Sequence, residues 1–251
     1  AFLFSKNSRL RNIAETMVGF GILFIGLEFI KNGVPDIRSN PEILEFLDMF
    51  TGFGYASLLI FVVIGTLLTL VMQSSSAATA VTLVMLFEGW ISFPLAAAMV
   101  LGENIGTTVT ANLAAMVGNV HAKRAARFHL IFNLIGVVWM LAAIYPVMHI
   151  IDLVVQNFST APVSILSDAP EARPNATLGL SLFHTSFNIL NVILLFAFIP
   201  YIVRFIERIL PESADGADDF RLKYISAGVM TSPALALEQA QKEAQQFAGI
   251  L

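Results

Sequence analysis

Residues 73–76 read Gln-Ser-Ser-Ser, and about thirty positions later residues 102–108 read Gly-Glu-Asn-Ile-Gly-Thr-Thr, each run set inside an otherwise apolar stretch. Between Arg38 and Lys123 there is no lysine or arginine. An anion bound by these two runs would therefore be held by hydroxyls, amides and backbone N–H groups at the N-termini of half-helices. Small oxyanions suit such donors. The charge of the anion favours co-binding of Na+, with carbonyls, hydroxyls and Glu103 as its ligands. Coupling to a cation gradient is then the economical mechanism. The competing reading is structural, because Ser, Thr and Gly in membrane helices also serve close packing or bond back to the preceding turn. The pairing of Gln73 in one run with Glu103 and Asn104 in the other, both at membrane depth, favours a site.

The elements that must position these runs follow from composition. The chain has 251 residues, 57% hydrophobic and 13% charged, against roughly 25% charged in a soluble domain. An all-α polytopic membrane protein is expected. With no cysteine there is no disulfide, thiolate metal site or Cys nucleophile. A net charge of −4 gives no reason to expect nucleic acid as a partner.

About four stretches are long and apolar enough to cross a bilayer: residues 13–30, 93–116, 128–151 and 178–203. Basic residues gather at Lys6, Arg9 and Arg11, at Lys123, Arg124 and Arg127, and at Arg204, Arg208, Arg221 and Lys223. The positive-inside rule makes all three clusters cytoplasmic and residues 156–176 external. Residues 35–48 are also placed outside, against the contrary charges of Lys31 and Arg38. Parity then requires residues 55–88 to enter and leave on one side as a re-entrant helical hairpin with Gln-Ser-Ser-Ser at its tip. Gly102 and Gly106, flanking Glu103 and Asn104, predict a second break in a helix over about 93–118. Two interrupted helices meeting at the midplane are the usual architecture of secondary-transporter sites. The expected organisation is a cytoplasmic flank at 1–12, a membrane domain at 13–210 and a cytoplasmic tail at 211–251, in the inner membrane with both ends cytoplasmic.

These residues also carry a family resemblance. Gln-Ser-Ser-Ser-Ala, then Gly-Glu-Asn-Ile-Gly-Thr-Thr, then Lys-Arg-Ala-Ala-Arg-Phe-His-Leu-Ile-Phe-Asn at residues 123–133 resemble the bacterial form of the type II sodium/phosphate cotransporters. The resemblance covers about residues 13–210. It implies Na+-driven transport of inorganic phosphate, with the substrate held by Gln73, Ser74, Ser75, Ser76, Asn104, Thr107 and Thr108. Glu103, Asn104, Thr108 and Ser76 are the candidate Na+ ligands. The family resembles an inverted repeat with two Gln-Ser-Ser-Ser motifs, whereas this chain has one. One repeat of a longer transporter is expected, or a site completed by a second copy of the chain. The absent initiator Met favours the former, and the tail resembles the start of a PhoU-like cytoplasmic domain.

Three further readings complete the sequence. Residues 128–137 and 183–192 share Phe-His-x-x-Phe-Asn, and His129, Asn133, His184 and Asn188 are expected to bond across a helix seam rather than to handle protons or phosphate. Ser232 and Pro233 open an amphipathic tail helix through Leu237, Ala240, Ala244, Phe247 and Leu251. An enzyme is not expected, since Ser74, Ser75 and Ser76 lie in no Gly-x-Ser-x-Gly context. The alternative function is a membrane-embedded subunit that senses phosphate without moving it.

Overall fold

The computed structural model describes residues 7–33 and 49–211, together with Gln241, Lys242 and Ala244. The chain divides into two compact units, Ala1–Ile206 and Glu207–Leu251. Regular structure among the described residues is helical throughout: α1 (Ser8–Gly33), α2 (Tyr55–Met72), α3 (Ser75–Glu88), α4 (Phe93–Ala115), α5 (Val120–Ala142), α6 (Ile144–Phe158), α7 (Arg173–Leu195) and α8 (Ile199–Ile209). Short 3-10 turns precede and follow α7. The expected tail helix lies outside the described residues, apart from Gln241, Lys242 and Ala244, which are helical.

Among the described residues three helical stretches are long and apolar enough to cross a membrane: Tyr55–Met72, Val120–Ala142 and Pro170–Ile209. They carry large apolar side chains on their outer faces, such as Val63, Leu67 and Val71 of α2 and Ile189, Val192 and Ile193 of α7. Such faces suit lipid contact. The protein is thus a helical membrane protein. The expected crossings at 13–30 and 93–116 are helical in α1 and α4 but fall outside this set, whereas α2, assigned to one arm of the hairpin, falls within it.

Helix α4 is the centre of the first unit. Its residues Ala96, Ala97, Ala98, Val100 and Leu101 are fully buried, and it touches α2, α3, α5 and α7. A helix apolar on all faces is buried on all faces. Three glycines let α2 and α4 meet backbone to backbone. A Cβ on Gly65 would overlap the carbonyl oxygen of Met99, and one on Gly102 would overlap that of Val62. One on Gly106 would lie 2.7 Å from the carbonyl oxygen of Thr66. From Val62 against Gly102 to Thr66 against Gly106 the numbers rise together, so α2 and α4 are parallel, and their first turns lie at one end. Helix α3 must therefore run back beside them, through the two-residue connection Gln73–Ser74.

Two expectations need correction. The helix over 93–118 is not broken, since α4 runs from Phe93 to Ala115 straight through Gly-Glu-Asn-Ile-Gly-Thr-Thr. Gly102 and Gly106 serve the α2 seam rather than a break, as small residues do where membrane helices approach closely. The polar side chains bond back into α4: Asn104 Nδ2 donates to Val100 O (2.8 Å), Thr107 Oγ1 to Glu103 O (3.0 Å) and Thr108 Oγ1 to Ile105 O (2.6 Å). Conversely, the span expected over 128–151 is divided at Ala143. Pro146 has no N–H, and its ring excludes the carbonyl of residue 142 from the ladder, so α5 stops at Ala142 and α6 starts afresh.

The His and Asn echo resolves differently from the expected seam. Asn133 Nδ2 donates to His129 O (3.0 Å) and Asn188 Nδ2 to His184 O (2.9 Å), each within its own helix. The bond across the α5–α7 seam comes instead from Asn191, whose Oδ1 accepts from Trp139 Nε1 (3.0 Å) over the glycine gap at Gly136.

Candidate functional site

The turn between α2 and α3 is a helix stop followed by a helix start. Gln73 closes α2 in the left-handed region (φ 52°), and its N–H donates to Thr69 O (2.8 Å). It is the non-glycine residue with positive φ among those described. A residue with a Cβ there costs about 1 kcal/mol relative to glycine, so the turn keeps Gln73 in spite of its backbone. Ser74 is the N-cap of α3: its Oγ accepts from Ala77 N (3.3 Å) and lies 3.3 Å from Ser76 Oγ. Gln73 and Ser76 are exposed, and Ser74 and Ser75 are half-buried. The first N–H groups of any helix lack intrahelical partners, so three hydroxyls and the positive end of α3 share one turn.

Glu103 projects from α4 toward α3 rather than toward the turn. Glu103 is 2% exposed, and its carboxyl accepts from Thr79 Oγ1 (2.5 Å) and Thr82 Oγ1 (2.6 Å). Thr79 Oγ1 also lies 2.9 Å from Ser75 O. Thr79 is thus the link between the carboxyl and the first turn of α3. No hydrogen bond among the described residues joins Ser74, Ser75 or Ser76 to Asn104, Thr107 or Thr108. The structure brings Glu103 together with Thr79 and Thr82, and it leaves the amide and hydroxyls of the Asn104–Thr108 run bonded within their own helix.

The sequence reading missed Thr79 and Thr82. Their i, i+3 spacing on the first turns of α3 was the available signal, because it puts both hydroxyls on one face. It also missed Thr66 and Thr69 on α2. Thr66 Oγ1 donates within reach of both Val62 O (2.8 Å) and Gly102 O (3.0 Å), pinning α2 to α4. Thr69 is 1% exposed, its Oγ1 has no partner among the described residues, and it packs against Gly106 one turn before Gln73. Among the described residues no three His, Cys, Asp or Glu side chains gather as a metal cluster. The oxygens of Glu103, Thr79, Thr82 and Thr69 are hard donors, of the type a sodium ion takes.

Residues 44–165 match the sequence model of the Na+/Pi-cotransporters. Over that region, just under half of its length, the chain is similar to the Na+/Pi-cotransporter family. That is a family of transporters, and the chain is not an enzyme. The matched region holds the α2–α3 turn and all of α4. YjbB of Salmonella typhimurium, whose name provisionally assigns it to inorganic phosphate export, is 26% identical over 242 residues, 96% of this chain and 40% of that protein. The sodium-dependent phosphate transport protein 2C of Mus musculus is 37% identical over 97 residues, 37% of this chain and 16% of that protein. Its Homo sapiens counterpart is 41% identical over 85 residues, 32% of this chain and 14% of that protein. The chain thus spans about 40% of the length of the bacterial relatives it matches. No solved structure gives a significant match.

Proposed function

We propose that the chain forms part of a secondary transporter that couples Na+ to the movement of inorganic phosphate. The observation that carries this reading is the turn at Gln73–Ser74, where an apolar helix pair reverses and presents three serine hydroxyls and a helix N-terminus. Gln73, Ser74, Ser75 and Ser76 bind the oxyanion as hydrogen-bond donors. Asn104, Thr107 and Thr108 take part when their bonds to α4 carbonyls exchange for bonds to the ion. Sodium is held by Glu103 with the hydroxyls of Thr79 and Thr82. It compensates anionic charge where no basic side chain is at hand.

The pair α2–α3 is read as re-entrant. Both of its ends lie at the end of the unit where α4 begins, and Tyr55 there donates to Leu141 O (2.8 Å) at the close of α5. Helix α3, with 14 residues, is about 21 Å long, short of a bilayer core of about 30 Å. Lys123, Arg124 and Arg127 sit in the first turns of α5, at the opposite end. The positive-inside rule places that end in the cytoplasm, the base of the pair outside, and the turn pointing inward.

A second surface completes the site, from another repeat or another copy of the chain. Gln73 and Ser76 are exposed, as are Ser181, Thr185 and Asn188 along α7. Polar stripes on membrane helices face protein or water rather than lipid. A PhoU-like tail over 211–251 would be the cytoplasmic partner of this domain.

The experiment is phosphate flux in proteoliposomes, inward and outward, with a sodium gradient and with choline in its place. Sodium-dependent flux is expected in either direction, as the gradient sets. Flux equal in sodium and choline removes the cation. Saturable phosphate binding without flux favours the second reading, a phosphate-sensing subunit, for which the single Gln-Ser-Ser-Ser motif is the specific support.

A further inference from the structure

A second group of hydrogen-bond donors lies away from the α2–α3 turn. At the end of the unit where α3 finishes and α4 begins, a cavity of about 360 Å³ is walled by Trp90, Ser92, Ser167, Asp168 and Arg173. Among the described residues, Arg173 Nε and Trp90 Nε1 are both buried and have no hydrogen-bond partner. Buried N–H groups almost always find an acceptor, and two orphans in the wall of one cavity point to an acceptor that occupies it. No carboxylate lies within ion-pair distance of Arg173 among the described residues. The guanidinium rests against the backbone of Gly89, where a Cβ would come within 2.7 Å of Nη2, so this position for it requires glycine. Ser92 begins α4 with its hydroxyl not spent on capping. The volume is about ten times the share of one water in the liquid.

We propose that this cavity is a second oxyanion site, taking a phosphate group on Arg173, Trp90 and Ser92. A guanidinium fork matches two oxygens of a tetrahedral anion, and the indole N–H and the hydroxyl supply further donors. Asp168 sits exposed in the same wall. A carboxylate repels a fully deprotonated anion but accepts from one that carries a proton, so hydrogen phosphate is favoured over sulfate. The phosphate group can belong to the free ion or to a lipid headgroup. The chemistry of the cavity does not depend on the transport reading. Its place on the external side rests on the topology argued above.

The test uses the full chain in nanodiscs, in sodium-free choline buffer, with tryptophan emission followed during titration with inorganic phosphate and, separately, sulfate. Trp139, already bonded to Asn191, is the internal reference. Phosphate should shift the emission saturably in zwitterionic phosphatidylcholine discs. The shift should vanish in Trp90→Phe, need about tenfold or more phosphate in Arg173→Gln, and persist in Ser75→Ala. If discs containing phosphatidylglycerol already show the shifted emission and free phosphate adds nothing, the occupant is the headgroup. Emission indifferent to both phosphate and phosphatidylglycerol in the unaltered protein overturns the site and leaves the cavity to water. That result stands even if Arg173→Gln fails to fold. Equal affinity for sulfate overturns the part assigned to Asp168. Flux with a silent Trp90 counts against this site alone, and a responsive Trp90 without flux counts against the transport reading alone.

Discussion

Two polar runs set in apolar sequence meet different fates in this chain. At Gln-Ser-Ser-Ser the helix stops and restarts, and among the described residues the hydroxyls of Ser74 and Ser76 bond each other and the N–H of Ala77. At Gly-Glu-Asn-Ile-Gly-Thr-Thr the helix runs on, and Asn104, Thr107 and Thr108 are engaged by carbonyls three or four residues back. The difference is set by neighbours. The glycines of the second run lie against the α2 backbone, which holds α4 straight, while the first run lies at a turn where Gln73 and Ser76 are exposed. A polar run in an apolar helix therefore marks either a donor site or a packing seam, and the two respond to mutation in opposite ways.

The largest effect is expected at the seam. Gly102→Ala drives a methyl group into the Val62 carbonyl, an overpacking with no flexible side chain to yield, and should cost about 3 kcal/mol or more. Thermal unfolding in detergent would show this as a large fall in Tm. An unchanged Tm would mean that the helices separate easily and that the seam is not what keeps α4 straight.

At the turn the expected loss is in binding rather than in folding. Ser75→Ala removes a donor to the anion, worth about 1.5 to 3 kcal/mol, so phosphate affinity should fall about tenfold or more with Tm unchanged. If Ser75→Ala and Ser76→Ala both bind phosphate as the unaltered protein does, the turn joins α4 on the structural side.

Glu103 stands between the two regions, on α4 by sequence and on α3 by its bonds. Glu103→Gln should weaken the sodium dependence of phosphate binding roughly fivefold, at the low end of typical coupling, while phosphate affinity at saturating sodium changes little. Linkage requires phosphate to lose the same factor in its effect on sodium affinity. Titrations of each ion at several fixed concentrations of the other measure both, and a uniform loss of phosphate affinity at all sodium concentrations would place Glu103 in the anion site.

The smallest effect should be a gain. Gln73→Gly relieves the left-handed backbone and should stabilise the protein by up to about 1 kcal/mol, while removing the amide from the turn and lowering phosphate affinity. A lower Tm would show that the Gln73 side chain holds the turn together, and would take it out of the binding set.

By itself the sequence determined what short-range pattern can determine. Apolar length and scarce charge made this a helical membrane protein. The paired motifs carried the resemblance to the Na+/Pi-cotransporters that residues 44–165 bear out. Pro146 was legible as a helix stop, although the apolar run across it masked the stop. Tertiary structure alone decided whether Gly102 and Gly106 break a helix or seat one, because that depends on a backbone about forty residues away in sequence and in direct contact in space. It also gave Glu103 its partners. A carboxyl at membrane depth must find hydrogen bonds, but only the parallel stacking of α2 and α4, with α3 returning beside them, puts Thr79 and Thr82 within its reach.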